Sequence, residues 1–82
     1  MENLIANLLE VMVRGLVRNP EEVKIEKTDS SSDDDLTVYR VTVAEDDMGR
    51  VIGKQGRIAK SIRNIARAAA IKSGEKIAVE IG

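Results

Sequence analysis

The chain has 82 residues, of which 43% are hydrophobic and 33% charged, and its formal net charge is −1, a balance typical of one small globular domain. It contains no cysteine and no histidine, which excludes a disulfide framework, thiol catalysis, cysteine-ligated zinc and a histidine general base. Its single aromatic residue is Tyr39, so a binding surface of stacked Phe or Trp side chains is excluded as well.

The N-terminal half predicts a helix followed by a β-hairpin. Apolar residues recur at helical spacing through residues 3–17, and Asn19-Pro20 ends this helix because the residue before proline avoids the helical region. Residues 22–28 and 36–44 are rich in alternating and β-branched side chains, which predicts two paired strands.

Met1-Glu2-Asn3 lacks the positive start of a signal peptide, and no apolar run approaches the roughly 20 residues of a membrane span. We therefore expect a cytosolic protein.

The two strands are joined by a polar loop, residues 29–35, with the sequence Asp-Ser-Ser-Ser-Asp-Asp-Asp. Its aspartates allow a magnesium site as one interpretation. A solvated turn of mutually repelling charges explains the same residues and is the interpretation we favour.

The C-terminal half predicts two helices and a last strand. Glu45-Asp46-Asp47 precedes a short helix that ends near Ile52, and acidic residues there are typical of a capped helix start. A second helix runs from beyond Gly56 to about Lys72, with Gly74 as a left-handed cap, and residues 76–82 alternate as a strand. On the second helix Ile58, Ile62, Ile65 and Ala69 share one arc, which predicts its core face.

The charges are distributed unevenly along this order of elements. Residues 1–49 hold five basic residues against twelve acidic ones, a net charge of −7, whereas residues 50–76 hold eight basic residues against Glu75 alone, a net charge of +7. Four of these basic residues lie on a separate arc of the second helix: Arg57, Lys60, Arg63 and Arg67. This pattern indicates an electropositive face for a polyanionic partner, although a solvated helix face would show the same composition.

Between the two helices lies a glycine-rich segment, Gly49 to Gly56, that invites comparison with phosphate-binding loops. It is one residue too short for a P-loop and has Gln55 where that loop needs a hydroxyl. Its glycine spacing and its place after a helix also exclude a dinucleotide fingerprint. A four-residue turn remains, Gly53-Lys54-Gln55-Gly56, whose glycines let a ligand backbone approach and which precedes a helix N-terminus. The alternative is a helix–turn–helix elbow whose glycines serve geometry alone.

Residues 51–58, Val-Ile-Gly-Lys-Gln-Gly-Arg-Ile, resemble the signature of the KH domain, and the order α-β-β-α-α-β resembles the type II KH topology over the whole chain. The stretches 19–23, 46–49 and 56–60 look like those of the small stand-alone bacterial KH proteins of the KhpA family. The resemblance implies one α+β type II KH domain over residues 1–82. In it three helices pack on one face of a three-stranded mixed sheet, and the strands flanking the two-helix segment are parallel and joined by a right-handed crossover.

The resemblance also implies non-catalytic binding of short single-stranded RNA, about four nucleotides held by the loop and an aliphatic groove. In the family pattern the phosphates are met by Gly53, Lys54, Gln55 and Gly56. Ile52 and Val51 would contribute to the groove or to the core beneath it, and Arg57 and Lys60 would extend the positive field. The family implies a role in bacterial post-transcriptional regulation linked to cell elongation or division.

Two other classes of function are alternatives to RNA binding. The first is a protein-interaction module, since the KhpA family implies a homodimer or a heterodimer with a larger KH-containing protein. The second is an enzyme, for which only a carboxylate–magnesium site or a lysine-activated serine remains without His and Cys, and no residue spacing supports either. We therefore expect no enzyme activity, no metal and no cofactor.

Overall fold

The computed structural model describes residues 4–29 and 36–81. The elements are α1 (Leu4–Arg14), β1 (Lys24–Asp29), β2 (Leu36–Thr42), α2 (Met48–Ile52), α3 (Arg57–Lys72) and β3 (Lys76–Ile81). Three short 3₁₀ turns accompany them, at Pro20–Glu22, Glu45–Asp47 and Lys54–Gly56. This is the predicted α-β-β-α-α-β order. Among the described residues, no helix combines the length and the apolar composition needed to cross a membrane.

The sheet has the strand order β1-β2-β3 and is mixed. β1 pairs with β2 as an antiparallel hairpin in which Ile25 lies opposite Val41, and β2 pairs with β3 in parallel, with Tyr39 opposite Val79. Both the hairpin and the parallel pair confirm the sequence prediction. The parallel pair needs a long connection, which α2 and α3 supply.

The core lies between one face of this sheet and the helices. From β2 and β3 the inward side chains Tyr39, Val41, Ile77 and Val79 are buried, because alternate residues of a strand point to opposite faces. α1 contributes Ile5, Leu9 and Val13, one side chain per turn of the helix. The buried stripe of α3 is formed by Ala59, Ile62, Ala66 and Ala70.

The stripe of α3 corrects one prediction. Ile62 is buried as expected, and Ile58 and Ala69 pack against the core, but Ile65 is 49% exposed. Three alanines occupy the centre of the buried face instead. This side of α3 packs against β3 and α1.

Two element boundaries also differ from the prediction. α1 ends at Arg14 rather than near residue 17, where Gly15 follows and weakens the helix, although Leu16 and Val17 still pack against the core. The first strand begins at Lys24, because Pro20–Glu22 forms a 3₁₀ turn closed by a hydrogen bond from Val23 N–H to the Pro20 carbonyl.

Asp47, predicted to cap a helix, has a different role. Its side chain makes no capping bond to α2. It is completely buried and accepts hydrogen bonds from the backbone N–H groups of Arg18 and Asn19, at 3.1 and 3.0 Å, and from the Asn19 side-chain amide at 3.0 Å. The bond from the Arg18 N–H is the main cause that lowers the pKa of Asp47 below its ordinary 3.8, and burial opposes it. The carboxylate thus joins the segment after α1 to the start of α2.

Candidate nucleic-acid interface

The turn between α2 and α3 is built on three residues with positive φ. Gly53 has φ 75° and ψ 177°, Gln55 has φ 58° and ψ 25°, and Gly56 has φ 73° and ψ 13°. The conformation of Gly53 is essentially restricted to glycine, whereas the left-handed region of Gln55 and Gly56 also admits other residues at a cost. The backbone therefore reverses within four residues and leads directly into α3.

The two glycines of the turn serve different purposes. A Cβ atom at Gly53 would lie 2.5 Å from Cγ1 of Ile58, so this glycine is required by internal packing. A Cβ at Gly56 would meet nothing within 4 Å. Gly56 therefore faces open space, which leaves its backbone accessible to a ligand.

The backbone hydrogen bonds of the turn use the N–H groups of its two glycines. Gly53 N–H donates to the Gly49 carbonyl at 2.9 Å and Gly56 N–H to the Gly53 carbonyl at 3.2 Å. The 3₁₀ turn that starts at Lys54 has no side-chain cap. The first N–H groups of a helical turn have no partner within it, so those of Lys54 and Gln55 are available to an anion.

The side chains around the turn combine cations with a partly exposed apolar residue. Lys54, Gln55, Arg57 and Lys60 are exposed, and Arg57 donates to the Gln55 side-chain oxygen at 3.2 Å. Ile52 is half-buried at the end of α2. Val51 is completely buried. Of the two positions expected from the sequence, the groove and the core beneath it, Val51 occupies the core.

A cleft of about 380 Å³ extends from the turn along α3. Its lining residues are Gln55, Gly56, Lys60, Arg63, Asn64 and Arg67. Sequence reasoning placed Arg63 and Arg67 on the basic arc but not in the candidate site, and it missed Asn64. The helical spacing of these three residues from Lys60 was the available signal.

Not every basic residue of the +7 segment lies free at this surface. The Arg50 guanidinium lies 3.6 Å from the buried carboxylate of Asp47 and donates to the Asp46 carbonyl at 3.3 Å. Arg50 is therefore held by the junction before α2. The positive field of the site comes from α3 and the turn.

A second cleft of similar size, about 390 Å³, lies on the outer face of the sheet. Glu26 and Glu80 line it on either side of Arg40, whose guanidinium is 3.5 Å from the Glu80 carboxylate. Two carboxylates around one paired arginine repel a polyanion, so the cleft along α3 is the better candidate for a nucleic acid. Within residues 4–29 and 36–81, no three carboxylates are placed to hold a metal ion. The predicted loop beyond Asp29 lies outside those residues.

Comparison with known families and proteins identifies a family of KH-domain proteins. The family model described as "KhpA/KhpB, KH domain" matches residues 6–81. The chain is 48% identical over 81 residues to the RNA-binding protein KhpA of Listeria monocytogenes serovar 1/2a, covering 99% of this chain and 97% of that protein. It is 43% identical over 74 residues to the RNA-binding protein KhpA of Clostridium perfringens, covering 90% of this chain and 95% of that protein.

Among solved structures, the fold is similar to part of the much longer protein Era. One match is Era in complex with MgGDPNP and nucleotides 1506–1542 of 16S ribosomal RNA, with a TM-score of 0.62 and 25% sequence identity. Another is Aquifex aeolicus Era bound to GDP and AlF₄⁻, with a TM-score of 0.61. Each alignment covers 95% of this chain but 29% of the Era chain, so only the fold of that part is compared. The match of the family model across nearly the whole chain, with relatives 43 and 48% identical, shows that this protein belongs to the KhpA/KhpB family of KH-domain proteins.

Proposed function

We propose that this protein binds short single-stranded RNA, with the turn Gly53–Gly56 holding the phosphate backbone. The observation that carries the proposal is the open space at Gly56 beside exposed cations, in a chain whose relatives are RNA-binding proteins. The oxygens of a phosphate placed there would accept hydrogen bonds from the backbone N–H groups of Lys54 and Gln55. The ammonium of Lys54 and the guanidinium and ammonium of Arg57 and Lys60 would neutralise the charge of this phosphate and of its neighbours in the strand.

The bases would contact apolar rather than aromatic side chains. The only aromatic residue, Tyr39, is completely buried, so stacking on this protein's aromatic rings contributes nothing. Ile52 is half-buried and adjoins Gly53, which makes it the candidate for apolar contact with a base next to the held phosphate. The rest of the aliphatic groove that the family resemblance implies stays a prediction.

We place the protein among binding modules rather than enzymes. The groups offered by the turn are backbone N–H donors, ammonium and guanidinium, which bind a phosphate without acting as a general base. A role in post-transcriptional regulation linked to cell elongation or division stays a prediction. Pairing with a second copy or with a larger KH protein also stays a prediction, which sedimentation of the purified protein would check.

The proposal is tested by replacing Lys54 and Gln55 together with aspartate. Aspartate tolerates the left-handed conformation of Gln55, so the free energy of unfolding should change by only about 0.5 kcal/mol. Two carboxylates where the phosphate must lie should weaken binding to a randomised single-stranded RNA pool at least tenfold, or about 1.4 kcal/mol. Fluorescence anisotropy measures the affinity, and urea unfolding measures the stability.

A matched control introduces the same change in net charge elsewhere. Asn7 and Lys27 are exposed on α1 and β1, and their joint replacement by glutamate lowers the net charge as much as the double aspartate does. We expect RNA affinity to stay within about twofold of the wild type in this control. If the double aspartate variant keeps the RNA affinity of the wild type, the turn only connects two helices, and the proposal is refuted.

A further inference from the structure

We infer that an RNA strand held at the turn continues along α3 beyond Lys60, where the phosphates of its flanking nucleotides contact Arg63 and Arg67. This inference rests on the proposed function and extends it, since it assigns a second, longer contact to the same strand. The bound RNA would then be longer than the roughly four nucleotides that a KH loop holds.

The first argument is the continuity of the cleft with the turn. Gln55 and Gly56 line its beginning, and Lys60, Arg63 and Arg67 follow along α3. At 100° per residue these three cations and Asn64 fall within an arc of about 100° on one side of the helix. A strand leaving the turn therefore meets them in succession without crossing the helix.

The second argument is the length of this side of α3. From Lys60 to Arg67 the helix rises about 10 Å. A stacked nucleic-acid strand carries one phosphate per about 3.4 Å, so this stretch accommodates about three further nucleotides.

The third argument is that these cations have no ion-pair partner among residues 4–29 and 36–81. α3 contains no acidic residue, and in the described part of the chain Lys60, Arg63 and Arg67 form no ion pair. By contrast, Arg14, Arg40 and Arg50 each lie within 3.6 Å of a carboxylate oxygen. The field of these α3 cations is thus not offset by a paired carboxylate among the described residues, whereas that of Arg14, Arg40 and Arg50 is.

A linear polyanion fits this arrangement better than a compact one. The cations are spaced along the helix by three and four residues and lie in an open cleft, so no single small anion reaches all three. The Asn64 amide lies among them and adds hydrogen-bond donors for phosphate or sugar oxygens. The strand already placed at the turn by the proposed function supplies such a polyanion.

The test compares two RNA pools, of about four and about eight nucleotides, on the wild type and on the double variant Arg63→Gln, Arg67→Gln. We expect the wild type to bind the longer pool at least tenfold more tightly than the shorter one. The double variant should lose most of that advantage and keep its affinity for the shorter pool within about twofold. Because two phosphate contacts are lost, the slope of log affinity against log salt for the longer pool should become shallower by about 1.4.

Two further variants complete the design. Lys24→Gln with Lys27→Gln removes the same charge from exposed positions of β1 and should leave both affinities unchanged. Arg63→Lys with Arg67→Lys keeps the charge and should preserve most of the preference for the longer pool. Glutamine and lysine are good helix formers, so the melting temperature should hardly change in these α3 variants.

The possible failures are distinguishable. If the double glutamine variant keeps the full preference for longer RNA, or loses affinity for both pools equally, the contact along α3 is refuted while binding at the turn stands. If the wild type binds neither pool, the proposed function and this inference fall together. Displacement of the longer RNA by poly-glutamate as effectively as by unlabelled RNA would overturn the assignment of the cleft to a nucleic acid.

Discussion

At the scale of single residues, the two glycines of the turn separate folding from binding. Gly53 adopts a conformation that other residues avoid, and the space beside it is filled by Ile58. Gly56 is left-handed but borders open space. Glycine therefore meets two different requirements in one motif: internal packing at Gly53 and access for a ligand at Gly56.

Replacing each glycine by alanine should show this difference. Gly53→Ala combines a forbidden backbone region with a steric clash and should lower the free energy of unfolding by about 3 kcal/mol or more. Gly56→Ala should cost about 1 kcal/mol, the penalty of a left-handed alanine. Urea unfolding of the two variants under the same conditions measures both losses.

The RNA affinity of the Gly56 variant gives the second half of this prediction. Its methyl group would project into the space where we place the phosphate backbone, so affinity should fall although the fold persists. Equal losses of stability in the two variants would contradict the assignment of Gly53 to packing and Gly56 to ligand approach.

At the scale of elements, Asp47 connects two segments that are far apart along the chain. Its carboxylate accepts the N–H groups of Arg18 and Asn19, which follow α1, while it directly precedes α2. The start of α2, and with it the position of the turn, therefore depends on long-range contacts: Arg18 precedes Asp47 by 29 positions and Asn19 precedes it by 28. In Asp47→Asn one of the two accepting oxygens becomes an NH₂ group, so at least one of these N–H donors would lose its acceptor, and we expect this variant to be less stable than the wild type.

The stabilisation by Asp47 should depend on pH in a defined direction. Its pKa is lowered in the folded protein, so the contribution is complete above the ordinary value of 3.8 and is lost as the pH falls below it. The difference in unfolding free energy between wild type and Asp47→Asn should therefore be largest near neutral pH and shrink at lower pH.

Urea unfolding at a series of pH values measures this difference, with Asp46→Asn as the control. Asp46 is exposed, and its replacement should change stability by no more than about 0.5 kcal/mol. A gap between wild type and Asp47→Asn that stays constant down to about pH 3 would exclude an ionised anchor at this position.

At the scale of the whole molecule, folding segregates the charges that nearly cancel in the net charge of −1. The cations of α3 and the turn border one cleft, while Glu26 and Glu80 border the cleft on the outer face of the sheet. A polyanion therefore meets an attractive surface on one side and carboxylates on another, although the chain as a whole is almost neutral.

This segregation predicts the salt dependence of binding. If Lys54, Arg57 and Lys60 neutralise about three phosphates of a tetranucleotide, log affinity should fall with log salt at a slope of roughly −2. Titrations at several salt concentrations measure it, with the double glutamate variant at Asn7 and Lys27 expected to give the same slope. A slope near zero would contradict the electrostatic part of the proposed interface.

The order of elements and the position of the turn could be predicted from the sequence alone, because each depends on neighbours along the chain. Helical spacing marked α1 and α3, alternation marked the strands, and glycine spacing with adjacent cations marked the turn. The basic arc of α3 followed from its periodicity. These signals are local, and the folded chain preserves them.

What only the tertiary structure decided were the rotation of α3 and the partner of Asp47. The buried stripe of Ala59, Ile62, Ala66 and Ala70 is turned by about 75° from the predicted isoleucine arc, which leaves Ile65 half exposed. The packing of α3 against β3 and α1 fixes this rotation, and hydrophobic periodicity along the chain does not specify it. Likewise, a local cap and a long-range anchor require the same carboxylate, and only folding brings Arg18 and Asn19 to Asp47.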